Sequence, residues 1–279
     1  MANSGSGRKS PRLGVFFCLA ICLSLGGCEK IRSYFRPKPK PQATAHEPST
    51  PRIPRKPSSA GAKLAIILDD LGSDQAAADA IFALSNSLTI SVLPNQQHSL
   101  DIADKAHRRG IQVMLHLPME SLANEAPEPQ ELRTGMTSPQ VKQTLQEMLA
   151  TVPHVAGINN HQGSRATSDP ALMNELMPFL RARKLFFIDS RTTTATVAYE
   201  TAQHRGVRCA FRNVPFLDDV QEEAAIRGQL ELAIRGAKEK GEAIAIGHPH
   251  PETLRALKAM LPQAEAQGIR LVHASDLVH

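Results

Sequence analysis

From Lys63 onward, short apolar runs alternate with helix-like segments, and no other feature of the chain limits its fold as strongly. The runs are LAIIL (64–68), LTISVL (88–93), IQVMLHL (111–117), VAGI (155–158), LFFI (185–188), VRCAF (207–211), AIAI (243–246) and IRLV (269–272). Unbroken apolar runs of this length suit strands covered on both faces, as in parallel sheets. Helical segments are expected between them: Ser73 to Leu84 with Asp74 as cap, 138–152 opened by Ser138-Pro139, 169–184 opened by Asp169-Pro170, Leu217 to Lys240, and Pro251 to Gln267. Serine and aspartate accept hydrogen bonds from the first free amides of a helix, and proline is tolerated in its first turn. Strands alternating with helices predict an α/β fold with a parallel sheet. Eight runs fit one closed or nearly closed barrel better than two domains. A doubly wound open sheet is the alternative.

Chemistry-bearing residues follow these runs. LAIIL ends in Asp69-Asp70, LTISVL in Pro94-Asn95, and IQVML in His116, with Glu120 four residues on. VAGI leads to Asn159-Asn160-His161, LFFI to Asp189-Ser190-Arg191, and VRCAF to Asn213 and Asp218-Asp219. AIAI leads to His248-Pro249-His250, and IRLV to His273 and Asp276. Ligand sites of barrels and open sheets form at the carboxyl ends of parallel strands, so these residues are expected on one rim. Each alone has an ordinary explanation as a turn, cap or surface group. The recurrence of His and Asp at the same end of unrelated strands is what points to a site.

Imidazole and carboxylate without thiolate suit a divalent metal, with zinc, manganese and iron the candidates. Such an ion polarises a carbonyl and activates water, while a free carboxylate and a histidine move protons. The glycines show no phosphate-cradling loop, and no Gly-X-Ser-X-Gly elbow marks a serine esterase.

The first sixty residues differ in kind. A basic start (Arg8, Lys9, Arg12) precedes the apolar stretch 13–25, too short for a comfortable membrane span and typical of a secretory signal peptide. Leu25-Gly26-Gly27-Cys28 looks like a bacterial lipobox, so residues 1–27 are expected to be a lipoprotein signal peptide and Cys28 the lipidated residue. The same resemblance implies inner-membrane retention for an aspartate after that cysteine, so with Glu29 there the outer membrane is the expected anchor. Residues 28–61 are rich in proline, lysine and arginine and are expected to be a disordered tether. The expected location is therefore exported, membrane-anchored through an N-terminal lipid and facing the periplasm. Cys18 and Cys22 leave with the signal peptide, and with Cys28 acylated only Cys209 remains, so no internal disulfide is expected.

Charge divides at the same place. Residues 1–60 carry 11 of the 32 Lys and Arg and 2 of the 27 Asp and Glu, a net +9, which leaves −4 on the rest. The folded part lacks the basic surplus of a nucleic-acid binder, so no nucleic-acid partner is expected.

The blocks AIILDDLG, ISVLPN, MLHLPME, GINNHQGSRAT, FFIDSRTT, NVPFLDD and IGHPHPET, in this order, resemble the divergent polysaccharide deacetylases over residues 62–279. The resemblance implies an irregular (β/α) barrel of seven to eight mainly parallel strands and a metal-dependent hydrolase. Its expected reaction is removal of acyl groups from an envelope glycan. It implies Asp69 as base, Asp70 as metal ligand, and His116 as a second ligand. Glu120 stands where the better-known enzymes carry a further histidine, and His161 is the other candidate ligand. His248 matches the general acid, with His250 as substitute. Asn160, Asp189, Arg191 and His250 are the candidates for substrate contact. The implied cofactor is a divalent metal, zinc foremost, and the implied partner a cell-envelope glycan. A tethered glycan-binding or envelope-organising lipoprotein on a disabled scaffold is the competing reading. With 4% aromatic residues and no tryptophan, the chain is expected to recognise a short substrate or to use polar groups.

Overall fold

The computed structural model describes residues 61–123 and 128–279. The expectations for the signal peptide, Cys28 and the tether lie outside the described residues. No described helix is long and apolar enough to cross a membrane.

All eight apolar runs are strands: β1 Lys63–Leu71, β2 Thr89–Val92, β3 Gln112–Met119, β4 Val155–Gln162, β5 Phe186–Asp189, β6 Cys209–Phe211, β7 Glu242–Gly247 and β8 Arg270–Leu271. They form one sheet in the order β6-β5-β4-β3-β2-β1-β7, with β8 paired to the start of β1, and every pairing is parallel. The sheet curls until its edges almost meet. The chain just after β6 bridges the gap: the Asn213 and Leu217 amides donate to the carbonyls of Ile244 and Ile246 at 3.3 and 2.9 Å. Below that seam, Cys209 and His279 exchange backbone hydrogen bonds. The result is a nearly closed barrel, not a doubly wound open sheet.

Seven helices lie between the strands: α1 Gln75–Phe82, α2 Ser99–Arg108, α3 Ser138–Thr151, α4 Pro170–Arg183, α5 Ala198–His204, α6 Glu223–Lys240 and α7 Pro251–Ala266. Asp74 and Asp169 cap α1 and α4 through the amides of Ala77 and Ala171. The cap of α3 is Thr137 instead of Ser138: its amide and hydroxyl both donate to Gln140 Oε1 at 2.8 Å. Only Thr137 has a glutamine three residues on, which closes the reciprocal box. α6 starts at Glu223, not near Leu217, because the preceding residues are spent on the seam with β7. α2 and α5 were not singled out in the sequence; their segments are largely polar, with apolar faces of only a few residues.

Side chains of a strand alternate between faces. Leu64, Ile66 and Leu68 face the helices, while Ala65 and Ile67 join Met114, Phe186, Ile188, Ile244 and Ile246 in a second core inside the barrel. Gly157 makes room for this interior: a Cβ there would lie 2.3 Å from the Phe186 ring. The same two-residue step continues upward past each apolar stack. Above Ile67 it delivers Asp69, above Met114 His116, above Ile188 Ser190, and above Ile246 His248. The polar rim is thus the top layer of the barrel interior.

Candidate metal centre at the barrel rim

Asp69 and Asp70 are consecutive, yet both belong to the rim. Asp70 achieves this in the left-handed region, at φ 58°, where the β1–β2 register shifts between Leu68 and Leu71. Such backbone is uncommon outside glycine and concentrates at functional sites. Asp70 Oδ1 lies 3.1 Å from His116 Nε2 and 3.0 Å from His161 Nδ1, and those two nitrogens are 3.2 Å apart. The imidazoles meet edge to face, with centroids 4.9 Å apart. Asp70, His116 and His161 form one of two groups among the described residues that converge closely enough to hold a cation.

The electrostatics divide the two aspartates. Asp69 is 1% exposed, and burial raises its carboxyl above the usual range. For Asp70 burial acts in the same direction, but the adjacent His116 and His161 outweigh it and hold the carboxyl well below that range. Burial opposes charge on His116 as well, and Asp69 and Asp70 overcome it and raise the ring. The two neighbouring carboxyls are thus pushed in opposite directions, a separation of the kind that acid–base sites use.

A hydrogen-bonded layer lies directly beneath. Asn159, in register with His116 across β3 and β4, donates from Nδ2 to both Asp69 oxygens at 2.9 and 3.0 Å and to Ser190 Oγ at 3.2 Å. Its Oδ1 meets His116 Nδ1 at 3.0 Å and accepts from the Ser91 hydroxyl. On the other side of the rim, His248 Nδ1 lies 2.9 Å from Asp218 Oδ1, and its Nε2 lies 3.8 Å from Asp70 Oδ2. Burial opposes charging this ring, but the Asp218 bond and the charges of Asp69 and Asp70 raise His248 to about 9. Asp218 is lowered in return: burial works against the anion, and His248 prevails.

Glu120 is not part of the metal group, which corrects the expectation that the family resemblance carried for it. β3 ends at Met119, and the chain then turns to pair with Leu132. The Glu120 carboxylate accepts from the Thr134 amide and hydroxyl at 2.8 and 2.7 Å, and Arg165 stands at 3.4 Å. His161 supplies the third donor from β4 instead.

Two of the expected substrate contacts have no free group at the surface. Asn160 is 1% exposed, and its amide bridges the Gln162 carbonyl and the Ser190 amide. Asp189 faces the helix side and is fully buried, where burial raises its carboxyl. It accepts from the Arg191 amide and the Thr196 hydroxyl, holding the loop after β5. Arg191 is exposed, with its guanidinium 3.5 Å above the centre of the Phe211 ring. His250 is half-buried beside His248 and 3.1 Å from Gln221 Nε2.

The sequence reading assigned no role to Ser91, Asn159, Ser190 or Asp218. For the first three the signal was available: they fall on the inward parity of β2, β4 and β5. Asp218 was expected at the rim by its place after a strand, but nothing local marked its partner, thirty residues away.

Against known proteins, the chain is 40% identical over 217 residues to the uncharacterized protein YibQ of Escherichia coli K12, covering 78% of this chain and 67% of that one. The structure of the uncharacterized protein ATU2773 from Agrobacterium tumefaciens C58 superposes with a TM-score of 0.75 at 23% identity, covering 79% of this chain and 91% of that one. BA3943 from Bacillus anthracis, a CE4 family pseudoenzyme, gives a TM-score of 0.50 at 12% identity, over 79% of this chain and 66% of that one. These two likenesses show the fold alone. The sequence model described as divergent polysaccharide deacetylase matches residues 66–278, nearly the whole described domain, and the chain belongs to that family.

Proposed function

We propose that the protein is a metal-dependent carbohydrate deacetylase acting on an envelope glycan, with zinc as its metal. The observation that carries this reading is Asp70 Oδ1. It is buried, makes no hydrogen bond among the described residues, and faces a nitrogen of each of two imidazoles. A buried acceptor without a donor is costly, and a cation removes that cost. One carboxylate and two histidines are the donor set of a hydrolytic zinc site with open positions. Asp70, His116 and His161 therefore fit the ion.

When bound there, the ion would polarise the acyl carbonyl and lower the pKa of water. The remaining work belongs to the chain. Asp69 would take the proton from the attacking water. His248, kept protonated and oriented by Asp218, would deliver a proton to the departing amine or alcohol oxygen. His250, beside His248, and the exposed Arg191 would serve as substrate contacts. Lipid attachment at Cys28 and a periplasm-facing position, the outer membrane foremost, would bring the domain to its glycan without a nucleic-acid partner.

Metal analysis joined to acetate release from N-acetylglucosamine oligomers and peptidoglycan fragments tests this reading. Stoichiometric metal and activity, both lost in Asp70→Ala and His161→Ala, are the expected result. A folded wild type that takes up no metal overturns it.

A second reading has one observation in its favour. Asp69 is almost wholly buried with both oxygens held by Asn159, which is restrictive for a base that must meet water. A glycan-binding or envelope-organising protein on this scaffold predicts glycan binding that survives Asp69→Asn and His248→Ala, with no acetate released.

A further inference from the structure

We infer that Asn159 is a positioning residue that sets the metal-binding tautomer of His116 and the placement of Asp69 through one side-chain amide. The inference rests on the proposed cation site and adds the device that arms it.

The orientation of the amide is over-determined. Nδ2 lies 2.9 and 3.0 Å from the two oxygens of Asp69, which only accept in their anionic form. Turning the amide over would set oxygen against carboxylate oxygen. Oδ1 must therefore face the other way, toward the Ser91 hydroxyl and His116 Nδ1. A carbonyl oxygen cannot donate, so His116 Nδ1 carries the proton in this bond. A neutral imidazole has one ring proton. Nε2 is then left with its lone pair, and it is Nε2 that faces Asp70 Oδ1 and His161 Nδ1.

Few side chains can do this. Nδ2 uses its second proton on Ser190 Oγ at 3.2 Å, so two donors and two lone pairs are all engaged in a residue that is 0% exposed. Aspartate keeps the acceptor for His116 but sets a second carboxylate against Asp69. Leucine keeps the volume and loses both functions. Glutamine is one methylene longer in a layer with no spare room. A partner on the non-ligating nitrogen is the usual means of fixing a metal-binding histidine. Here that partner also grips the proposed base, so ligand and base are set by one group.

Long-range proton–nitrogen NMR of His116 and zinc affinity by chelator competition, both on the full chain, test this. On the neutral ring, at alkaline pH and without metal, His116 of the wild type is expected as the Nδ1–H form. Asn159→Leu is expected to shift His116 toward the other tautomer and to weaken zinc binding about 10–100-fold. Asn159→Asp is expected to keep the Nδ1–H form and bind zinc, yet lose acetate release by about 100-fold or more. An Nε2–H ring in the wild type overturns the inference, and that measurement needs no variant to fold. So does a folded Asn159→Leu with unchanged His116 signals and zinc affinity. A wild type that binds no zinc sinks the proposed function instead, and the tautomer still decides the role of Asn159.

Discussion

The Asp218 carboxylate holds His248 at two points: Oδ1 lies 2.9 Å from the imidazole Nδ1, and Oδ2 accepts the His248 backbone amide at 2.6 Å. The Thr253 hydroxyl donates to the same Oδ2 at 2.8 Å. One aspartate from the loop after β6 thereby fixes both the ring and the backbone of a histidine that follows β7.

This pair makes stability depend on pH in a defined direction. Burial opposes charge on His248, but Asp218 raises the ring from 6.5 to about 9. A raised folded value means that the contribution is fully present below 6.5 and disappears as pH rises through about 9. Asp218 is lowered, so its contribution is present above the ordinary aspartate value and disappears as pH falls through the lower folded one. Urea unfolding of the metal-free protein at about pH 6 and pH 9.5 should therefore show a loss of roughly 1–3 kcal/mol at the higher pH. Asp218→Asn should flatten that difference; an equal slope in both proteins would refute the assignment.

Asp218, His248 and His250 form the second converging group, but its oxygens are already committed to three donors. Asp70 Oδ1 has none. One zinc per chain is therefore expected by equilibrium dialysis, retained in His250→Gln and lost in His161→Gln. Retention in His161→Gln with loss in His250→Gln would place the ion in the wrong group.

Glu120 serves the loop, not the ion. Glu120→Gln can still accept from Thr134 and loses only the Arg165 charge partner, an exposed contact worth about 0–1 kcal/mol. Zinc affinity should stay within about threefold of wild type, far from the effect of losing a ligand. A loss of zinc in a folded Glu120→Gln would return this carboxylate to the ligand set.

Gly157 is a packing requirement. With a Cβ placed 2.3 Å from a carbon of the buried Phe186 ring, Gly157→Ala forces the interior to shift, at a cost of about 2–3 kcal/mol. Adding Phe186→Leu should recover part of the lost thermal midpoint. A Gly157→Ala protein as stable as wild type would show that the ring can move freely.

Much of this protein was legible locally. Strand periodicity and continuous apolar character are properties of neighbours in sequence, so all eight strands could be read from the chain. The same periodicity placed Asp69, His116 and His248 at one end, and the ordered blocks carried the family. The choice of donors was another matter. Glu120 stands four residues beyond His116 and looked equivalent to a ligand, but the chain leaves β3 at Met119 and takes the carboxylate to Thr134. His161 enters because β3 and β4 pair with His116 beside Asn159 and Pro118 beside His161. Asp218 reaches His248 only because the sheet curls until residues after β6 meet β7. Sequence by itself determined which residue types stand at each strand end, because alternation and apolar runs act over a few residues. Tertiary structure alone decided which of them touch, because that depends on interstrand register and barrel closure between segments far apart in the chain.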